Sequence, residues 1–460
     1  MKEIRAMSPG KLGHGCDPKS VARALAHKPD FIGVDAGSTD MGAYYLGRQT
    51  PFFHPISIER DMALLLQAAL DRKIPLVIGN VLATGTNIQL HTGLELLREV
   101  AAENSLEFSV AVVHAEIDRA YLKDKLRAGS IPPLGAKADL TLANVEEAEA
   151  IVAQMGVEPL MRALDLGAEV ILAGRTCDDA IFAALPVREG FDKGLALHMG
   201  KILECGTMAC VPGDLHGSIV GTLREDHFIL EPADPERVCT IHSVASHTLY
   251  ERSDPYLQPG PGGTNDLSFS RFEQLEDRRL KVSGSRWIPD AAYKLKLEGA
   301  RQIGYRAICM TGIRDPILIG CLDDVLAEAE NDTKERFRSR PEKWQIIFRQ
   351  YGRNAVMGKL EPRKDELPHE IGLLIEAIAD TQELVDAVCM YVRGTIQHAS
   401  YPGILATAGN LAYPMSPFTV PCGPVYVFHI DHLLQVTDPC ECFQCDVEQV
   451  GQTVTSASSR

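Results

Sequence analysis

The sequence predicts an α/β protein: a doubly wound, mostly parallel sheet followed by a second α+β domain. Two observations lead to this prediction. Apolar runs typical of buried strands alternate with amphipathic helices over the first 210 residues. Beyond residue 210 the pattern changes to short β-like runs rich in glycine, proline and aspartate, mixed with polar helices. Strands that are apolar throughout need cover on both faces of their sheet, which is the doubly wound arrangement.

The elements follow from periodicity and turn residues. In the first half, strands are predicted at residues 4–7, 31–34, 75–80, 108–113 and 169–173, and helices at 20–27, 58–71, 90–104, 145–155 and 158–166. In the second half, strands are predicted at 217–223, 228–230, 280–282, 307–311, 317–322, 370–378 and 425–430, and helices at 323–337 and 381–397. Residues 256–266 contain so much glycine and proline that they predict a loop.

The chain has 460 residues, which is more than one hydrophobic core usually supports. We therefore predict an α/β domain at 1–210 that carries the main site, an α+β domain at 211–445 with lid-like loops, and a flexible tail at 446–460. The formal net charge of −16 disfavours nucleic acid and anionic membrane as partners. The N-terminus lacks the apolar segment of a signal peptide, and no apolar run approaches the ~20 residues that span a bilayer.

Twelve cysteines are scattered along the chain, a pattern typical of reduced thiols in a cytoplasmic protein. Their one cluster is Cys440, Cys442 and Cys445. Three thiols can hold a metal, but a tetrahedral site needs a fourth ligand and none is obvious nearby. The cluster is therefore either a metal site or a group of incidental cysteines.

The stretch from 31 to 47 organises the predicted site. A short apolar strand ends at Asp35, and a small polar turn follows through Gly37, Ser38, Thr39 and Asp40. Ligands of open α/β sheets bind at the carboxyl ends of the strands. The turns after successive strands should therefore gather polar side chains at one sheet edge, namely Asp35, Asp40, Asn80, His114, Glu116, Asp118, Arg175, Asp178 and Asp179.

From this edge we predict three catalytic residues. Arg175 is assigned to a substrate carboxylate, which a guanidinium can hold through two hydrogen bonds. His114 is assigned to proton transfer, and Asp35 to cation or hydroxyl binding. Two of them have a plainer interpretation: a buried structural histidine at 114, or an ion pair between Arg175 and a neighbouring aspartate.

The predicted substrate-binding residues lie in the turns and in a glycine-rich loop: Gly37, Ser38, Thr39, Asn80, Thr176, Gly262 and Gly263. Asp40 and Asp178 are candidate ligands of a divalent cation, which favours oxygen donors. The alternative is that Thr176 or Asp178 only caps the helix that follows.

Two further alternatives stay open. The turn from Asp35 to Thr39 resembles the first phosphate loop of the actin and sugar-kinase ATPases, although its neighbours look parallel rather than antiparallel. Cys205 could act as a nucleophile, but no base can be assigned to it from sequence.

Several motifs together resemble the acyclic terpene utilisation family of the AtuA type. They are DAGSTDMGAYYLG (35–47), LAGRTCDDAIFAAL (172–185), KILECGT (201–207), HTLYERSDPY followed by PGG (247–263) and HASYPGILATAGNLAYP (398–414). The resemblance runs in the same order from near the N-terminus to about residue 440. The chain departs from it at Ala43 and in its cysteine-bearing tail.

The resemblance implies a role in the bacterial degradation of citronellol- and geraniol-type compounds, without a residue-level catalytic assignment. It also implies a small companion protein, which is often encoded beside such chains or fused to them. We therefore predict an enzyme for a small carboxylic acid or acyl derivative, with lyase or hydratase chemistry, in a homo-oligomer. The alternatives are a scaffolding subunit completed by the small partner, and an ATP-dependent enzyme.

Overall fold

The computed structural model describes residues 2–251, 253–275, 278–406 and 409–451. The chain divides into two compact units, one formed by Met1–Arg301 with Phe428–Arg460 and the other by Gln302–Val427. Residue 210, where we predict a domain boundary, lies inside the first unit. Of the predicted tail, residues 446–450 form part of a strand, and residues 452–460 lie outside the described residues.

The strands are Ile4–Ser8 (β1), Phe31–Asp35 (β2), Leu76–Gly79 (β3), Phe108–Val113 (β4), Ala150–Ala153 (β5), Val170–Ala173 (β6), Ile219–Leu223 (β7), His227–Pro232 (β8), Leu257–Gly260 (β9), Gly263–Asp266 (β10), Arg271–Gln274 (β11), Leu280–Ser283 (β12), Arg286–Pro289 (β13), Tyr293–Ile313 (β14), Trp344–Tyr351 (β15), Ile371–Ala379 (β16), Val420–Val436 (β17) and Cys445–Val450 (β18).

The α-helices are Pro18–Ala26 (α1), Ala43–Arg48 (α2), Pro55–Arg72 (α3), Asn87–Asn104 (α4), Arg119–Arg127 (α5), Leu142–Glu147 (α6), Val157–Asp165 (α7), Ala180–Arg188 (α8), Lys193–Leu203 (α9), Ile241–Leu249 (α10), Pro316–Gly320 (α11), Leu322–Phe337 (α12) and Gln382–Gln397 (α13). No helix among the described residues is long and apolar enough to cross a membrane.

The large sheet of the first unit has a parallel centre in the order β1-β2-β3-β6-β4. Antiparallel strands extend it on both sides, with β7, β8, β12 and β11 beyond β1, and β18 beyond β4. The long connections between parallel strands hold the helices, as βαβ units require. The predicted α/β class with a parallel sheet is confirmed.

Alternate residues of each central strand enter different hydrophobic cores. Ile32 and Val34 of β2 pack in the core that contains the apolar faces of α1, α3 and α4. Phe31 packs in the other core, with residues of α7, α8 and α9. Because side chains alternate along a strand, two cores on one sheet mean that both faces are covered. The sheet is therefore wound on both faces, as the continuous apolar strands predict.

The prediction of one helix over residues 145–155 is wrong in its second half. Helix α6 ends at Glu147, and the apolar run Ala150–Ala153 forms β5, which pairs antiparallel with residues 297–300 of β14. A short apolar run fits a buried strand or a buried helix equally well. The pairing with a distant strand decides the outcome.

Two other local predictions are also wrong. The predicted loop at 256–266 contains the paired strands β9 and β10, which meet at Pro261-Gly262. The predicted strand at 317–322 is instead the short helix α11 and the start of α12. Asp315 caps α11 by accepting a hydrogen bond from the Ile317 amide, and Pro316 occupies the first helical turn.

The second unit combines an antiparallel sheet with helices. Strand β16 pairs with β15 on one side and with residues 305–313 of β14 on the other. Helices α12 and α13 contribute to a separate core with the inward residues of β16. This α+β texture agrees with the sequence pattern, and helix α12 begins within one residue of its predicted start.

Candidate active site

Three strand ends form the centre of the candidate site. Asp35 is the last residue of β2, Asn80 directly follows β3, and Arg175 lies two residues after β6. These strands are neighbours in the sheet and run parallel, so their carboxyl ends lie side by side. The predicted convergence of these three residues is what the structure shows.

The side-chain amide of Asn80 links the turns. Its Nδ2 donates to Oδ1 of Asp35 at 2.9 Å and to Oδ1 of Asp178 at 2.7 Å. Its Oδ1 accepts from Nη1 of Arg175 and from the Thr176 amide, each at 2.9 Å. Asn80 is fully buried and has a φ of 53°, a conformation that asparagine tolerates better than most residues. It is therefore a scaffold for the charged groups around it.

Arg175 is buried and almost completely engaged by the protein. Its Nε donates to Glu298 at 2.7 Å, and its Nη1 donates to Asn80, to the Thr176 carbonyl and to Asp178 at 2.9, 3.0 and 3.3 Å. Its Nη2 lies 3.4 Å from the hydroxyl of Thr39. Both edges of the guanidinium thus already hold protein partners, so the two-point grip on a substrate carboxylate that we predict is not available.

Glu298 balances the charge of Arg175 from a distant part of the chain. It lies on β14, and its Oε1 accepts from the Thr39 hydroxyl at 2.8 Å and from Lys296 at 2.9 Å. Burial opposes the charge of this carboxylate, but Arg175 and Lys296 outweigh burial and lower the pKa of Glu298 to about 2. Glu298 is therefore charged at neutral pH and fixes Arg175 in place.

Asp35 is buried and paired with Lys11. The Lys11 ammonium lies 2.9 Å from Oδ2 of Asp35, and burial raises the pKa of the Asp35 carboxyl although Lys11 acts in the opposite direction. The ion pair raises the pKa of Lys11. Lys11 therefore occupies the position beside Asp35 at which we predict a cation or a hydroxyl group.

A cavity of about 710 Å³ lies next to this network, entirely within the first unit. Arg175 and Asp178 belong to both the network and the cavity wall. The other charged lining residues are Asp40, Asp179, Lys201, Glu204, Glu251, Asp290, Lys294 and Lys296. Charged side chains of both signs therefore lie in the cavity wall.

Asp178 and Glu204 form a carboxyl pair in the cavity wall. Burial and the negative Asp178 raise the pKa of Glu204 well above its usual value. Burial also acts on Asp178, but Arg175 and a hydrogen bond from Glu204 lower the pKa of Asp178. Lys201 contacts Glu204 and lies 3.2 Å from Glu251.

Gly37, Ser38 and Thr39 support the network and are not among the residues that line the cavity. Gly37 packs so closely against the backbone of Ala83 that a Cβ would lie 2.2 Å from its carbonyl oxygen. Ser38 accepts a hydrogen bond from the Asp40 amide at 3.0 Å, and Asp40 is the residue of this turn that reaches the cavity. The Asp35–Thr39 turn is thus filled by protein contacts, which argues against a phosphate loop.

The glycine turn at 262 and 263 reaches the cavity through Gly263. Gly263 lines it together with Pro259, Gly260 and Pro261. Gly262 has a φ of 81°, and a Cβ there would lie 2.4 Å from the ring of Tyr293. The turn is the tip of the β9–β10 hairpin, so its position is set by strand pairing.

His114 does not join the Arg175 network. Its Nδ1 lies 2.8 Å from Asn87 Oδ1, its Nε2 lies 3.5 Å from Asp446, and it lines a second cavity of about 790 Å³. Glu116 and Asp118 line this second cavity too. Strand β4 lies beyond β6 in the sheet and ends against β18, which holds His114 on that side. The predicted role of His114 in a shared site is therefore not supported.

The predicted metal ligands are only partly brought together. Asp178 has carboxylate oxygens within 4.8 Å of those of Asp35 and Glu204, but Asp40 joins no such group of three among the described residues. Cys440, Cys442 and Cys445 also belong to no group of three potential metal ligands in the described part of the chain. The Cys442 thiol instead lies 3.3 Å from the hydroxyl of Tyr121.

Several residues of the cavity wall and the network were not predicted from the sequence, although two sequence patterns indicate some of them. Lys294, Lys296 and Glu298 alternate with Leu295 and Leu297, which puts three charges on one face of a strand. Lys201 and Glu204 interrupt an otherwise apolar helix end, and such charges are rarely buried without partners. Lys11 gave no comparable signal.

The structure supplies Cys205 with a neighbouring imidazole. Sγ of Cys205, a ring nitrogen of His247 and a carboxylate oxygen of Glu204 lie within 4.8 Å of one another. Burial and Glu204 raise the pKa of the Cys205 thiol to about 12. Burial and Lys201 lower the pKa of His247 to about 4, so its imidazole is neutral at pH 7.

Comparison with protein families identifies the chain. The family model described as acyclic terpene utilisation family protein AtuA matches residues 35–216 and 224–421. No curated protein and no solved structure gives a match. The family match covers most of the chain and includes the turns that build the cavity wall, and family membership implies involvement in acyclic terpene catabolism. The chain belongs to the acyclic terpene utilisation family of the AtuA type.

Proposed function

We propose that this chain is a catabolic enzyme that acts on a small carboxylic acid or acyl derivative by lyase or hydratase chemistry. Family membership supports the catabolic setting. The observation that carries the proposal is that one cavity is lined both by Lys294 and Lys296 and by the carboxylate of Asp178. The two lysines suit an anionic group of the substrate, and the aspartate suits proton transfer at a carbon next to that group.

Lys294 and Lys296 are the better candidates for the substrate's anionic group. The side chain of Lys294 is 38% exposed, and its nearest carboxylate, Asp290, is 3.5 Å away. That of Lys296 is 36% exposed and pairs with Glu298, which Arg175 also neutralises. A substrate carboxylate can therefore approach both ammonium groups without leaving a buried acid unpaired.

Asp178 is the candidate base. Asn80 and Arg175 hold one oxygen of its carboxylate, while the residue lines the cavity. Arg175, Asn80 and Asp35 are then positioning residues, because each acts through the carboxylate of Asp178 or through Asn80. Lyase and hydratase reactions need such a base to remove or return a proton beside an activating carbonyl group.

The proposal extends to the setting of the enzyme. The scattered cysteine pattern supports a cytoplasmic location, and the family resemblance supports a small companion subunit and a homo-oligomer. A divalent cation belongs to the proposal as a cofactor to be tested, because the cavity wall offers potential ligands.

The test uses the full chain and solvent isotope exchange. The protein is incubated in D₂O with branched acyclic α,β-unsaturated and 3-hydroxy carboxylates, and with their coenzyme A thioesters, while proton NMR follows exchange and conversion. We expect at least one member of this panel to react. Asp178→Asn should lower its rate by about 10²- to 10⁴-fold, the usual contribution of a positioned base.

The matched control is His114→Gln, which changes a titratable residue at the second cavity and should keep the wild-type rate. An unchanged rate in Asp178→Asn would overturn the assignment of the base. The scaffolding alternative replaces the proposal if the isolated chain neither binds nor converts any member of the panel, whereas the chain together with its companion protein does.

A further inference from the structure

The residues Glu204, Cys205 and His247 form a compact group of three different ligand types. Glu204 and Cys205 directly follow α9, and His247 lies on α10. One donor atom from each residue lies within 4.8 Å of the other two. The first two residues are adjacent in the chain, and the third comes from a helix that begins 36 positions later. Convergence of such distant segments is what a ligand site requires.

We propose that Glu204, Cys205 and His247 bind a transition-metal ion of the zinc type. The donor set contains one sulfur, one nitrogen and one oxygen. Zinc accepts all three, whereas Mg²⁺ and Ca²⁺ favour sets made of oxygen alone. The oxygen cluster of Asp35, Asp178 and Glu204 is the weaker candidate, because the ammonium of Lys11 lies 2.9 Å from Asp35.

An unpaired imidazole nitrogen is the independent observation. Nε2 of His247 is buried and has no hydrogen-bond partner among the described residues. A buried polar atom without a partner carries a free-energy cost that a ligand would remove. The ring of His247 also lies against that of Tyr250, with centroids 4.9 Å apart, and the Tyr250 hydroxyl is 3.6 Å from Sγ of Cys205. These contacts hold the imidazole and the thiol near each other.

The proposed site adjoins the first cavity, because Glu204 lines the wall of that cavity. Three protein ligands leave one position of a tetrahedral ion for water or for a substrate oxygen, which is the pattern of catalytic zinc sites. A bound ion would supply Lewis-acid polarisation of a substrate hydroxyl or carbonyl group. This role in catalysis rests on the proposed function, whereas metal binding itself does not.

The neighbouring lysine side chains do not prevent a metal ion from binding at the proposed site. Lys201 contacts Oε1 of Glu204, and each carboxylate oxygen has two lone pairs, so Glu204 can accept from Lys201 and still bind an ion. The carboxylates of Asp35 and Asp178 act on the charge of Lys11, and those of Asp178 and Glu251 act on the charge of Lys201.

The experiment measures metal directly. The full chain is freed of metal with a chelator and titrated with Zn²⁺, and bound metal is counted by mass spectrometry. Co²⁺ is then substituted, because a cobalt–thiolate bond gives a near-ultraviolet charge-transfer absorption. We expect about one ion per chain and a thiolate band. Cys205→Ser should abolish the band, and His247→Gln should weaken Zn²⁺ binding by more than about 100-fold, since even outer-shell changes cost 10- to 100-fold.

The controls are His242→Gln, an exposed histidine on the same helix, and Cys309→Ala, a buried cysteine of the second unit. Both should bind Zn²⁺ like the wild type. Circular dichroism of the metal-free variants establishes that they are folded. No bound metal in the wild type, or equal binding by the Cys205 and His247 variants, would overturn the proposal. If metal is lost and isotope exchange is intact, the proposed function still holds. If metal binds and no isotope exchange occurs, the metal site still holds.

Discussion

The first and second cavities described above lie near carboxyl ends of neighbouring strands but hold their charges differently. At the first, Arg175 and Glu298 are paired with side chains 4% and 5% exposed. At the second, the equivalent pair is Lys125 with Glu441, whose side chains are 23% and 21% exposed. Strand β6, which leads to Arg175, pairs directly with β4, which leads to His114 at the second cavity.

The difference shows that an ion pair contributes more to the stability of the fold when it is buried. A buried charge must be fully paired, and removal of one partner leaves the other with a large desolvation cost. An exposed pair is screened by water and contributes little. Substitutions with the same chemistry should therefore have unequal effects at the two cavities, and three experiments test this.

The largest effect is expected for Arg175→Met. The change removes the guanidinium but keeps an unbranched side chain, and it leaves Glu298 and Asp178 without their shared partner. We expect the free energy of unfolding to fall by about 3–5 kcal/mol, measured by urea denaturation. Arg162→Met, at an exposed arginine that lines the second cavity, is the control and should change it by less than about 0.5 kcal/mol. Equal losses would contradict the comparison.

The second effect concerns acid stability. The pKa of Glu298 is lowered from 4.5 to about 2 by Arg175 and Lys296, against the opposing effect of burial. A lowered pKa means that the unfolded chain binds this proton first as pH falls. The contribution of Glu298 is therefore complete above about pH 4.5 and is lost between about pH 4.5 and 2. It should amount to about 3 kcal/mol, and Glu298→Gln should flatten this part of the stability–pH curve.

Glu441→Gln is the matched control for that curve. Its carboxyl also has a pKa lowered to about 2, against burial, by Lys125, Tyr121 and Thr437, but its side chain is 21% exposed, compared with 5% for Glu298. Solvent screening should reduce its contribution to less than about 1 kcal/mol. If both variants flatten the curve equally, exposure does not separate the two cavities.

The smallest effect is expected for single hydroxyl groups. Thr39 donates to Glu298 at 2.8 Å inside the first network, and Thr437 donates to Glu441 at 3.0 Å at the second cavity. Thr39→Val should lower the free energy of unfolding by about 1–3 kcal/mol, because it removes a donor from a buried carboxylate. Thr437→Val should change it by less than about 0.5 kcal/mol. A larger loss for Thr437→Val would reverse the comparison.

Much of the candidate site could be predicted from the turns that follow strands. Asp35, Asn80 and Arg175 come after apolar runs, and parallel pairing necessarily puts the ends of β2, β3 and β6 at one edge. His114 follows a strand in the same way but belongs to another cavity, because strand order is not encoded in the local pattern. The roles of the residues also escaped prediction, since Arg175 is saturated by Glu298, a residue 123 positions away.

By itself the sequence determined the α/β class, the buried parallel strands and the polar turns at their ends, because hydrophobic periodicity and turn chemistry act over a few residues. Tertiary structure alone decided that β14 brings Lys294, Lys296 and Glu298 to the cavity, and that His247 reaches Cys205. These contacts join segments far apart in the chain, and their geometry depends on strand pairing and burial, which no short stretch of sequence specifies.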